Sequence, residues 1–541
     1  MFKENKRHQQ QSILETENWM KGSVKHKLTE SWAPIFYEQV FSEIDERPFA
    51  VLYSSETGAP NAPVNVILSL EILKHMKDIT DIDMMERYRF DYLFNYAVGQ
   101  RVLGEESISE RAIYYFRERV YQYTMEHPEA EDLMLGQFRG LLGNFCKKTG
   151  QIMDEQRIDT TMFMSNIKKS GRISLAHDVL MKSVRKIPEG QMSESLREVL
   201  DPDFKTNMLY RTKTEQTGSR LDRVLSLCAE ALGILNTLPG EENTNEKRIL
   251  KRLLEEQTKT DAEGKITAKE NKEISANSLQ SAYDEDATYR TKDDVSQSGY
   301  VLDITETCSK DNPMQFITDY QVAPNTKTDV DIVKERMGNI SAAGCKDLYS
   351  DGGFYSEEIT EKANESGIAM HYTEMTGGKP TRGISAADFI YNEDNSVIIT
   401  CPGGRAPVRT GECKSQLTAH FSKDSCAGCP LRDQCPGKEN KKDVTVRIQK
   451  KSVSSAVKRK EIAENREENT SKRAGIEGTN SALKQKGLDK LRVRGLAKCK
   501  TVCGLKVIAQ NVSRFIKYMR GGYDKPLKVK PIPKGSLCPA I

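Results

Sequence analysis

The strand-forming run Ile158–Phe163 (IDTTMF) stands far from any other, and this isolation constrains the fold more than any other feature. The next strand formers are Gly299–Ile304 (GYVLDI) and Phe316–Val322 (FITDYQV). Residues 165–275 between them are charged and mostly helical in pattern, with an apolar-periodic helix near Leu221–Leu235. A polar, low-aromatic run from Glu241 to Ile274 reads as an exposed helix pair or a partly mobile insertion. A sheet built from these strands must close over that insertion.

After the insertion, strands and helices alternate. A strand over Lys346–Tyr349 leads into Ser350-Asp351-Gly352-Gly353. Tyr355–Ser366 reads as a helix stopped by Gly367, and Ile368–Tyr372 as another strand. Phe389–Tyr391 and Val397–Thr400 flank a polar turn and read as a hairpin. Val444–Ile448 is a further strand, and Val502–Met519 a helix with one apolar face. Strands alternating with helices and closing on packed helices imply a mixed α/β core. With 541 residues the chain should form two to four domains.

The head of the chain is helical in pattern. A helix begins behind Pro63, and Asp83–Val98 is amphipathic and aromatic-rich. Ser107 and Glu110 have the spacing of a capping box, opening a helix through Arg111, Tyr114, Tyr115 and Arg117. A short helix, a turn at Gly104 and a capped basic-aromatic helix fit a helix-turn-helix or an ordinary helical bundle.

Net charge is only +3, so its distribution says more than its sum. Lys and Arg dominate Lys438–Lys460 and Lys484–Lys506, as a phosphate-binding face requires. No apolar run is long enough to span a bilayer and no signal peptide is visible, so a cytosolic protein with reduced thiols is expected. Of twelve cysteines, five (Cys401, Cys413, Cys426, Cys429, Cys435) share one short stretch, with His420 among them. Cys426-x2-Cys429-x5-Cys435 has metal-ligand character, and Cys401 or Cys413 would complete a tetrahedron around structural Zn²⁺. An iron–sulfur cluster uses similar ligands, and reduced, partly buried cysteines are the third reading.

Three carboxylates fit a nuclease site, although composition and spacing do not single them out among the 78 acidic residues. Phosphodiester cleavage with two Mg²⁺ ions needs hard oxygen ligands converging from separate elements. Asp159 lies in the first strand, Asp351 follows a strand and precedes Gly352-Gly353, and Glu477 lies on a helix (KRAGIEGTNSALK). Arg473, Glu477 and Lys484 recur along one stripe of that helix, as they would beside a phosphate-bound metal or on a surface helix laced with ion pairs. Asp154 and Asp347 are next in line should Asp159 or Asp351 prove dispensable.

At Arg473-x3-Glu477-x6-Lys484 the chain resembles bacterial insertion-sequence transposases of the DDE class. RIDTTMF, DEDATYR at 284–290, YSDGGFYS at 349–356, RVRGLAK at 492–498 and the CAGCPLRDQC stretch match in the same order, over roughly residues 60–520. Thr470 departs from the family's usual Tyr.

The resemblance implies an RNase H-like mixed sheet with flanking helices, plus an N-terminal all-α domain and helical and Cys-rich insertions. In chain order these would be a polar segment (1–60), a helical DNA-binding domain (61–150) and the first part of the core (151–400, inserted at about 165–285). A Cys-rich insertion (401–450), the C-terminal part of the core (451–520) and a tail (521–541) would follow.

It further implies Mg²⁺ or Mn²⁺ held by Asp159, Asp351 and Glu477, with water attacking the transposon end and the freed 3′-OH attacking target DNA. Arg473, Lys484, Arg111 and Arg117 would contact DNA, and Cys401, Cys426, Cys429 and Cys435 would hold Zn²⁺. The partners would be terminal inverted repeats, target DNA and a second copy of the chain, in a bacterial cytoplasm at the nucleoid. A catalytically dead DNA-binding derivative and an RNase H-like nuclease for another nucleic acid are the alternatives.

Overall fold

The computed structural model describes residues 1–10, 12–55, 57–105, 107–209, 217–240, 244–260, 266–292, 295–375, 383–412 and 415–522. The chain forms two compact units, each discontinuous in sequence. The first holds Met1–Ile152, Thr160–Thr328 and Gly478–Ile541; the second holds Met153–Asp159 and Asp329–Glu477. The fold is mixed α/β with a helical N-terminal region, consistent with an RNase H-like core.

Six strands carry the core: β1 (Glu155–Phe163), β2 (Thr288–Lys292), β3 (Val295–Thr307), β4 (Ile317–Pro324), β5 (Asp347–Ser350) and β6 (Ala369–Tyr372). In the first unit β3 is long enough to take two antiparallel partners, β2 along its first half and β4 along its second. Its Gly299 backs onto the carbonyl of Phe163 at the end of β1. In the second unit the start of β1 pairs in parallel with β5, and β5 in parallel with β6. Parallel strands buried on both faces read as continuous apolar runs, which is why Leu348 and Tyr349 follow one another in β5.

Each expected strand is present and begins within a few residues of its predicted start, whereas β2 was not expected. The helix at Glu357–Glu365 is capped by the Ser356 hydroxyl, and Gly367 follows it in the left-handed region. The hairpin of Ile390–Tyr391 and Ile398–Thr400 is present.

In the N-terminal region, the aromatic-rich segment forms two helices, Asp81–Phe90 and Tyr92–Ala97, broken at Asp91. The next helix, Glu110–Glu126, is capped by Ser109 and not by Ser107. Ser107 instead pairs its hydroxyl with that of Tyr88, 2.7 Å away. The Glu241–Ile274 run also differs from expectation. Its helix, Asn245–Gln257, buries Ile249, Leu250, Leu253 and Leu254 among the apolar residues of the 175–282 insertion. Its spacing is amphipathic, so the polar composition disguised a packed face.

The last helix begins earlier than the apolar stripe suggests, spanning Leu496–Met519. Its Asn511 brackets β4 by accepting from the Ile317 N–H and donating to the Ile317 carbonyl. Among the described residues no helix is long and apolar enough to cross a membrane.

Candidate functional site

The second unit brings Asp159, Asp351 and Glu477 around a single cation. Its parallel register pairs Glu155 with Asp347, Gln156 with Leu348 and Arg157 with Tyr349. Carried two residues further, this register sets Asp159 level with Asp351, just past the end of β5. Sheet pairing thus joins two carboxylates that lie far apart in sequence. Gly352 takes a close approach here, because a Cβ would lie 2.9 Å from the Glu374 carbonyl oxygen. The Asp351 carboxylate accepts from the Gly353 N–H at 2.8 Å, which fixes its orientation.

Glu477 arrives on the helix Arg466–Leu483. One turn earlier on that helix, the Arg473 guanidinium stands 3.2 Å from Asp159, 3.5 Å from Asp351 and 3.0 Å from Glu477. Burial works against the charge on Arg473, but Asp159, Asp351 and Glu477 overcome it and hold the group above the ordinary arginine range. Glu477 is the most accessible of the three, with 64% of its side chain exposed against 12% for Asp159. Arg473 Nε is buried and meets no acceptor among the described residues.

The other residues singled out from sequence fall in different places. Asp347 bonds His371 at 2.8 Å, and the Asp154 carbonyl accepts from the Asp347 N–H. Asp154 precedes β1 and Asp347 opens β5, each a few residues upstream of Asp159 and Asp351. Lys484 lies just past the helix, 3.8 Å from Asp489 and 40% exposed.

In the first unit Arg111 is exposed on the Glu110–Glu126 helix beside Tyr115. Arg117, on the same helix, is committed within the protein. It donates to Glu71 through Nε at 2.8 Å and to both Asp81 oxygens at 2.7 and 2.9 Å.

Sequence reasoning missed a group under the Glu477 helix. Lys472 donates to Tyr349 Oη at 3.2 Å and pairs with Glu155. Arg157 donates to the Lys472 carbonyl at 2.8 Å. The available signal was a cation two residues before Asp159, on the same face of a buried strand.

The Cys-rich segment has its own sheet: β7 (Arg409–Glu412), β8 (Gln416–Phe421), β9 (Lys438–Glu439) and β10 (Val444–Gln449), in the order β7-β8-β10-β9. Cys401, Cys426, Cys429 and Cys435 line one apolar cavity with Phe421, Val444 and Val446. Burial raises the Cys426 thiol, and the neighbouring Cys435 adds to this, as do Cys401 and Cys429 against Arg432. The Gly437 N–H points to Cys435 Sγ at 3.4 Å. His420 turns elsewhere, bonding Asp443 at 2.8 Å, and Cys413 lies outside the described residues.

The donor chemistry fits the expected ions: three carboxylates converge at one place, four thiols line another. Among the described residues no three donors already stand at metal-binding spacing, and Arg473 lies between the carboxylates.

Two family models match the chain. Transposase DDE domain matches residues 400–516, which include Arg473, Glu477, Lys484 and the four cysteines. Transposase domain (DUF772) matches residues 25–119, which include Arg111 and Arg117. Asp159 and Asp351 lie outside both matches. No curated protein and no solved structure matches the chain.

Proposed function

We propose that this chain, an insertion-sequence transposase of the DDE class, binds transposon ends and cuts and joins DNA. One observation carries this reading: Asp159, Asp351 and Glu477, from a strand, a strand end and a helix, gather around Arg473. A purely structural ion pair does not need three carboxylates on one guanidinium. A site that must hold extra positive charge does.

Asp159, Asp351 and Glu477 are the residues that would hold two divalent ions, Mg²⁺ or Mn²⁺. Bound there, the ions supply Lewis-acid activation of water and of the scissile phosphate. The buried Asp159 and the backbone-anchored Asp351 would be the fixed ligands. Glu477, more exposed, would complete the site from the helix. Arg473, whose buried Nε meets no acceptor among the described residues, is placed to donate to a phosphate oxygen of the DNA backbone. Lys484 and the exposed Arg111 are the other phosphate contacts in this reading. The 3′-OH freed by cleavage becomes the nucleophile in strand transfer, so no covalent enzyme intermediate is required. Two ends must be held together, which makes a homodimer the working assembly.

The four cysteines that line one cavity support a structural Zn²⁺ held by Cys401, Cys426, Cys429 and Cys435. The Gly437 N–H directed at Cys435 suits a thiolate.

The test is cleavage of a duplex bearing the element's own terminal repeat, with and without Mg²⁺. Glu477→Gln should bind the duplex and leave it uncut. Equal cleavage by wild type and Glu477→Gln would reject the assignment.

A further inference from the structure

A glycine inside a helix needs a reason, because it costs about 1 kcal/mol relative to alanine. Gly475 lies inside the Arg466–Leu483 helix, two residues before Glu477. It is exposed on one side, so burial does not explain it. On the other side, a Cβ would lie 2.2 Å from Arg157 Nη1, 2.5 Å from Cζ and 2.6 Å from Nη2. These are overlaps with the whole guanidinium, not a grazing contact.

Arg157 cannot simply swing away. It is 9% exposed, and its Nη1 donates to the Lys472 carbonyl at 2.8 Å. It lies on β1 two residues before Asp159, so both side chains leave the same face of the strand. The same guanidinium therefore touches the helix at Lys472 and Gly475, on either side of Arg473.

We propose that Arg157 and Gly475 form a slot that sets the height of the Glu477 helix over β1, making them positioning residues for the catalytic centre. This deepens the reading that Asp159, Asp351 and Glu477 are that centre. The slot lets Arg473 reach Asp159 at 3.2 Å and Asp351 at 3.5 Å. A side chain at position 475 either lifts the helix or expels Arg157, and in both cases the carboxylates lose their spacing.

The experiment compares wild type, Gly475→Ala, Arg157→Ala and the double variant in the full chain. Mn²⁺ binding to the free protein is followed by electron paramagnetic resonance, beside Mn²⁺-dependent end cleavage, end binding and thermal unfolding. Gly475→Ala should weaken Mn²⁺ binding about 10-fold or more and slow cleavage about 100-fold, while end binding holds. The double variant should be no worse than the worse single variant, because Arg157 is no longer there to collide.

Wild-type Mn²⁺ affinity and cleavage in Gly475→Ala would overturn the slot, as would losses that multiply in the double variant. If Gly475→Ala does not fold, the double variant is compared with Arg157→Ala. Equal Mn²⁺ binding supports the slot and a further loss overturns it. A wild type that neither binds Mn²⁺ nor cuts refutes the centre instead. The slot is then judged from melting temperatures, where additive losses overturn it and non-additive losses support it.

Discussion

Arg473 donates to Asp159 at 3.2 Å across 314 positions of sequence. That bond closes a triangle whose other members, Asp351 and Glu477, face the same guanidinium. The cation holds together carboxylates that would otherwise repel one another. It also lies in the space where divalent ions are proposed to bind.

Replacing Arg473 separates these two effects. Arg473→Ala should lower the melting temperature in EDTA, because the buried Asp159 then faces Asp351 uncompensated. Added Mn²⁺ should raise its melting temperature more than that of wild type, since the ion no longer competes with the guanidinium. Equal metal-induced shifts in the two proteins would contradict this.

Arg117 and Arg111, on one helix, should behave differently. Arg117→Ala leaves Glu71, whose side chain is 3% exposed, without its main partner. A loss of about 3–5 kcal/mol in stability is expected by denaturant titration. Arg111→Ala should leave stability unchanged, weaken end binding and reduce its salt slope by about one. Unchanged stability in Arg117→Ala would show that its ion pairs contribute little.

The same cluster gives an acid dependence. Burial pushes the Asp81 carboxyl up, but bonds from Arg117 and Lys74 outweigh it and hold it well below the usual range. A depressed carboxyl contributes stability that is complete above the unfolded value, about 3.9, and is lost as pH falls further. Asp81→Asn should therefore flatten the decline in stability below about pH 4 in urea titrations. An unaltered acid limb would show that Asp81 does not set the acid stability.

The cysteine cavity predicts about one zinc per chain by elemental analysis. Cys426→Ser, Cys429→Ser and Cys435→Ser should each release it, and Cys401→Ser should do so where Cys413→Ser does not. Co²⁺ substitution should produce the intense thiolate-to-metal absorption of a tetrahedral site. Iron with a visible cluster spectrum would show an iron–sulfur cluster in place of zinc, and metal-free protein of full stability would show that the cysteines hold no metal.

Much of this was legible in the sequence, for identifiable reasons. Strands such as Ile317–Pro324 showed themselves through β-branched and aromatic residues, and the Leu496–Met519 helix through its apolar stripe. Glu477 and Arg473 could be paired in advance because i, i+4 spacing is local. Asp159 meets Asp351 only through strand register, which spacing along one chain does not reveal.

Capping failed at Ser107 because Ser109 also has the right chemistry, and Tyr88 takes the first hydroxyl. Arg117 looked like a phosphate contact because the folding of Glu71 and Asp81 onto it is a tertiary event. The Arg157–Gly475 contact was invisible for the same reason, although the helix glycine marked the place.

Asp159, Asp351 and Glu477 are proposed to cut DNA together. The most direct measurement is Mg²⁺-dependent nicking of a duplex carrying the terminal repeat, by wild type and by Asp159→Asn, Asp351→Asn and Glu477→Gln. Wild type should leave a nick at the repeat's end and the three variants none, with end binding retained in all four. A variant that binds and nicks as wild type does would contradict the proposal.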